Sequence, residues 1–241
     1  MRASEERLRL ALETTGLGIW DADLVSGRRQ WTSEARDILG IPADAPTTRE
    51  TFLDRVHPDD RGRVGATFVV DLPAEGPRYA DTCRIVRADN GDKRWVAVTG
   101  RTFLDDDGRP VRKIGTIRDV TSRKRAEEAL RASEERLRLA LHASRMIAWE
   151  QDLATGFVTR SRNALELLGI GSAPLSEFLD NVHPEDRRLR DGFLRDAAVG
   201  ESSSIEFRYV LPNGTVLWMG ARGERSDPDR IVGVTFDISD R

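Results

Sequence analysis

The apolar positions of this chain switch between helical and alternating spacing, and the whole succession of switches then occurs a second time. Leu8, Ala11, Leu12 and Thr15 fall on one stripe and predict a helix from Met1 to about Thr15, broken by Gly16 and Gly18. Ile19 to Val25 alternates as a strand does, and the Ser26-Gly27 turn leads into a second short strand through Trp31. From Ser33 the spacing becomes helical again, with Ser33 as the cap and Gly40 as the stop. A further helix over Arg49 to Val56 ends at His57-Pro58. Pro58 suits the first position of the next helix, where its missing N–H costs nothing, and Asp59 and Asp60 then face the positive end of the dipole.

Strand spacing returns after that. Tyr79 to Arg87 and Lys93 to Thr99 flank Asn90-Gly91, a hairpin signal because both residues tolerate positive φ. Arg101 to Leu104 reads as another strand, and Val111 to Val120 as the last. Two strands, several short helices and a closing run of strands make an α+β domain with an antiparallel sheet.

Asp119 to Leu141 reads as a helix that Thr121 or Ser122 can cap. It holds no Gly or Pro, and Glu127–Arg131 and Glu134–Arg138 are i,i+4 pairs worth roughly 0.2–0.5 kcal/mol each. Ala126, Leu130, Ser133, Leu137 and Ala140 follow the seam spacing of a short coiled coil. The other reading is an amphipathic helix lying on its own domain. Arg131 to Leu141 also repeats Arg2 to Leu12 letter for letter, an offset of 131 − 2 = 129. Beyond it Trp149 matches Trp20, Gly156 matches Gly27, His183-Pro184-Glu185-Asp186 matches His57-Pro58-Asp59-Asp60, and Trp218 matches Trp95. The expectation is a first domain over 1–121 with its N-terminal helix, a linker helix over 122–144, and a second domain over 145–241.

Composition narrows the classes. Charged residues make up 33% with both signs interleaved and a net charge of −3, which argues against a nucleic-acid surface. One cysteine excludes an intrachain disulfide framework and fits a reducing compartment. No apolar run approaches the length of a membrane span, so a cytoplasmic protein is expected. No phosphate-binding loop, zinc-protease or nucleophile-elbow motif occurs, and no catalytic residue is assigned.

The order of elements resembles the PAS superfamily, and in detail the PAS fold type 3 of bacterial sensory histidine kinases and cyclic-di-GMP enzymes. The resemblance rests on His57-Pro58-Asp59-Asp60-Arg61, Arg84, Asn90-Gly91, Trp95 and Asp119-Val120-Thr121 in the first half. In the second half it rests on His183-Pro184-Glu185-Asp186-Arg187, Arg208, Asn213-Gly214, Trp218 and Asp237-Ile238-Ser239. It implies two domains, each a five-stranded antiparallel sheet with short helices on one face around a cavity, joined by a long helical linker. It also implies a homodimer in which Asp119 and Thr121, and again Asp237 and Ser239, couple the last strand to the following helix.

The residues expected to line such cavities are Trp31, His57, Cys83, Trp95, His183 and Trp218. Trp31 matches Arg160, so the two cavities are expected to differ in chemistry. His57 and His183 read as helix-start residues before metal ligands. Cys83 sits in a strand pattern without the motif that carries the reactive cysteine of flavin-binding LOV domains. No metal site and no cofactor are expected; haem or flavin, in a redox, gas or light receptor, is the alternative. The function expected is a non-catalytic tandem sensory and dimerisation module, taking a small ligand or partner signal to a downstream kinase, cyclase or response partner. A sensor fragment cut from a histidine kinase or diguanylate cyclase is the other alternative.

Overall fold

The computed structural model describes residues 10, 14–69, 78–189, 192–193 and 203–240, so the helix expected over Met1 to Thr15 lies almost wholly outside the described residues. The chain divides into two compact units, 1–129 and 130–241.

The first unit runs β1 (Leu17–Asp23), β2 (Arg29–Trp31), α1 (Ser33–Leu39), α2 (Arg49–Leu53), α3 (Pro58–Val69), β3 (Arg78–Val86), β4 (Lys93–Leu104) and β5 (Pro110–Asp119). Its five strands pair antiparallel in the order β2-β1-β5-β4-β3. One face carries the core: Val96, Val98 and Ile117 from the sheet meet Ala35, Leu39, Phe52 and Val64 from the helices. Thr32, and not Ser33, caps α1; its Oγ1 accepts from Ala35 N at 3.5 Å and from Ile19 N at 3.1 Å, tying the helix start to β1. Gly40 closes the helix in the left-handed conformation, φ 65°. The expected helix to Val56 ends at Leu53.

One strand reading is corrected. Gly100 does not divide Lys93–Thr99 from Arg101–Leu104, because it is buried and pairs with Tyr79 and Gly115, so β4 is continuous. The hairpin expected at Asn90-Gly91 forms between β3 and β4. Only Gly91 is left-handed (φ 75°), and Asn90 Oδ1 accepts from Asp92 N at 2.9 Å in a longer loop.

Helix α4 (Thr121–Ala143) leaves the first unit and enters the second. Every residue from Arg125 to Ala140 is exposed, the seam residues Leu130 and Leu137 at 61% and 60%. This stripe is therefore not packed on its own domain.

The second unit continues with β6 (Met146–Asp152), β7 (Phe157–Arg160), α5 (Ala164–Leu168), β8 (Ala173–Pro174), α6 (Leu175–Asp180), a 3-10 turn (Pro184–Asp186), β9 (Ser203–Val210), β10 (Val216–Asp227) and β11 (Arg230–Asp237). Its order is β8-β7-β6-β11-β10-β9. The sheet thus has six strands where five were expected: Ala173-Pro174 adds to the free edge of β7, a place that tolerates Pro because the outward side needs no donor. Ile147, Trp149 and Gln151 alternate inward from β6 onto Phe178, Phe207 and Tyr209.

Candidate functional site

Strand pairing in the first unit builds a chamber from two cross-strand rows. Trp31 lies opposite Trp20, which lies opposite Gly115; Arg29 lies opposite Ala22, which lies opposite Lys113. Residues two apart on a strand share a face, so both rows look the same way. Gly115 is required: a Cβ there would come within 2.3 Å of the Trp20 ring and 1.9 Å of Thr99 O. Ala35 and Leu39 of α1 and Thr48, Arg49 and Phe52 of α2 form the opposite wall, enclosing a cavity of about 170 Å³.

In the second unit Arg160 takes the place of Trp31, opposite Trp149. Its Nη1 donates to Gly171 O at 2.9 Å, and its guanidinium lies 5.4 Å from the Phe178 ring centre, where burial lowers its pKa. Trp149 is held by its Nε1–H donating to Thr235 Oγ1 at 3.0 Å. Together they leave a cavity of only about 10 Å³.

Of the expected cavity residues, Trp31 lines the first chamber. His57, Cys83 and Trp95 are not on its wall, nor are His183 and Trp218 on the wall of the second. His57 and His183 each accept, through Nδ1, the N–H two residues on, at 3.4 Å, and so start the following turn. Cys83 is 1% exposed in the core, and burial pushes its thiol up to about 12. Among the described residues no group of three or more His, Cys, Asp or Glu could hold a metal ion. His57, His183 and Cys83 are therefore not placed to ligate a haem iron or to form a flavin–thiol adduct in either cavity.

Trp95 and Trp218 belong instead to a polar clasp that each unit repeats. The carboxylate after His57-Pro58 clasps Arg84: Arg84 N, Nε and Nη2 donate to Asp60 at 2.8, 3.1 and 2.7 Å, and Nη2 also reaches Asp59 at 3.1 Å. Arg84 stacks 5.8 Å from the Trp95 ring centre. Trp95 N donates to Thr121 Oγ1 at 2.9 Å, and Thr121 N donates to Asp119 Oδ1 at 2.8 Å. The hydroxyl of Thr121 is thus spent on the sheet and not on capping α4, as its helix-start position suggested. Asp119 Oδ2 takes Arg94 Nη1 at 2.7 Å. The second unit repeats this from Asp186 through Arg208 and Trp218 to Ser239, whose Oγ accepts Trp218 N at 3.0 Å and whose N donates to Asp237 Oδ1 at 2.9 Å. Asp237 differs in its cation. Arg145, just past the end of α4 and left-handed at φ 52°, reaches it at 2.9 Å.

Residues 28–117 match the family described as PAS fold. They are a PAS domain. The whole chain is 32% identical over 238 residues to the sensor protein FixL of Bradyrhizobium diazoefficiens, covering 97% of this chain and 43% of FixL. It is 25% identical over 248 residues to the probable diguanylate cyclase DgcE of Escherichia coli, covering 98% of this chain and 22% of that protein. A solved sensory box histidine kinase/response regulator from Burkholderia thailandensis is 34% identical, covering 55% of this chain and 98% of that one, with a TM-score of 0.46. The family match and the likeness to the sensor protein FixL make this a PAS domain of the kind found in bacterial sensor proteins. The chain spans less than half the length of either curated relative. Among the described residues no helix is long and apolar enough to cross a membrane.

Arg29, Arg49 and Lys113 of the PAS cavity, and Arg94 and Arg145 of the clasps, were not singled out from the sequence. The available signal for the cavity was the alternation through Trp20, Ala22, Arg29 and Trp31, which puts a row with two indoles and a row with Arg29 on one face once register is known.

Proposed function

We propose that the chain is a tandem PAS sensory module without catalysis of its own, the second unit being a diverged copy of the first. The PAS cavity receives a small ligand. Asp119 and Thr121 pass its effect to α4, and Asp237 and Ser239 pass it onward from the second unit. The observation that carries this reading is the hydrogen bond from Trp95 N to Thr121 Oγ1, repeated from Trp218 N to Ser239 Oγ. It fixes the first residue of α4 to a strand whose Val98 lines the cavity, so a change in the sheet moves the helix start. The exposed stripe through Leu130 and Leu137 supports homodimerisation along α4, and the free buried thiol of Cys83 supports a cytoplasmic location. The output is a kinase, cyclase or response partner. Arg160 leaves the second unit too filled for a ligand, which supports a relay role there.

A substitution can mimic occupancy. Ala22→Leu puts three further carbons into the cavity and should change amide exchange over the first two turns of α4 in the full chain. Adding Thr121→Val should abolish that change. Identical exchange in Ala22→Leu and wild type would sink the reading.

A further inference from the structure

We infer that the PAS cavity binds a small organic carboxylate whose body is a single ring or a branched alkyl group of similar size. The inference rests on the cavity being the sensory site. Size sets the body: an apolar cavity of about 150 Å³ takes up benzene, and this one is about 170 Å³. Trp20, Trp31, Phe52 and Ile117 supply apolar and aromatic walls suited to a ring.

Charge sets the head. Arg29 and Lys113 flank Ala22 in one row, and Arg49 reaches the same space from α2, yet among the described residues no Asp or Glu lines the cavity. Among the described residues neither Arg29 nor Arg49 makes an ion pair. Arg49 Nη2 donates to Gly65 O at 3.0 Å, while its buried Nε has no hydrogen-bond partner. Glu50, next to Arg49 in sequence, is exposed and held by its own backbone N–H and by Thr48; Arg29 and Arg49 act on it only through space. Guanidinium forks bind carboxylates through two parallel hydrogen bonds, strongest when partly desolvated. A neutral ligand would leave Arg29 and Arg49 buried further without a counter-charge.

The test is titration of the full chain with benzoate and phenylacetate, and with benzamide and phenylacetamide as neutral isosteres, read by tryptophan emission and melting midpoint. The acids are expected to bind saturably and raise the midpoint, with the amides at least about tenfold weaker. Arg29→Gln and Arg49→Gln should each weaken the acids about tenfold and leave the amides unchanged. Arg160→Gln, in the filled second unit, should change neither. Equal binding of acids and amides by wild type overturns the carboxylate assignment while the sensory cavity stands. Binding of neither overturns both.

Discussion

Asp60 holds Arg84 by three hydrogen bonds, to its backbone N, Nε and Nη2, at 2.8, 3.1 and 2.7 Å. These donors hold the Asp60 carboxyl well below its ordinary range, at about 2; Asp186, clasped in the same way by Arg208, also falls to about 2. A carboxylate with a depressed folded-state pKa adds stability above its unfolded value, near 4, and loses it as pH falls toward 2. Each clasp should contribute on the order of 1–2 kcal/mol. Urea melts of wild type should weaken between pH 4 and 2, and Asp60→Asn should flatten part of that slope. An unchanged slope contradicts the assignment.

Arg84→Met keeps the stem over Trp95 and removes the fork. At pH 7 it leaves a mostly buried carboxylate without its cation, at a cost of about 1.5–3 kcal/mol. The cost should shrink near pH 2, where Asp60 takes up a proton in both proteins. Paired denaturation curves at the two pH values measure the difference.

Thr121→Val removes the acceptor for Trp95 N while keeping the shape of the side chain. The expected cost is about 1 kcal/mol, with faster exchange of the Trp95 amide and of the first turn of α4. Thr121→Ser should restore both. Slow exchange at Trp95 in the valine variant would show that the hydroxyl is dispensable.

Gly115→Ala would drive a methyl into Thr99 O and the Trp20 ring, and Gly233→Ala would do the same against Arg222 O and the Trp149 ring. Each should cost about 1–3 kcal/mol as an overpacked core does, and should shift tryptophan emission. Melting and fluorescence on the two single variants check it.

Cys83 should be inert in the folded protein. With the thiol buried and its pKa pushed up to about 12, almost no thiolate is present at pH 8. Labelling by a disulfide reagent should proceed only as fast as the fold opens and become immediate in denaturant. Rapid labelling under native conditions would contradict the burial.

Elements whose cause is local were legible from the letters. Gly40 ends α1 because only the left-handed conformation closes that turn, and His57-Pro58-Asp59-Asp60 opens a helix because those types satisfy its first turn. Readings failed where a distant strand decided. Gly100 looked like a break but sits in mid-strand opposite Gly115. Thr121 looked like a helix cap, yet its hydroxyl is used by Trp95, 26 residues earlier.

The same division separates the clasp from the cavity. The repeated letters determined by themselves that Asp60, Arg84, Trp95 and Thr121 have counterparts in Asp186, Arg208, Trp218 and Ser239, because the same residue types recur in the same order. They also showed Arg160 standing where Trp31 stands. Tertiary structure alone decided what that difference means. Antiparallel register brings Arg29 and Lys113 to either side of Ala22 across 84 residues of chain (113 − 29) and leaves an open chamber beside two indoles. In the other unit it turns Arg160 onto Phe178 and fills the space. Composition along a strand fixes which side chains share a face, but the volume left between two faces depends on every residue that packs there.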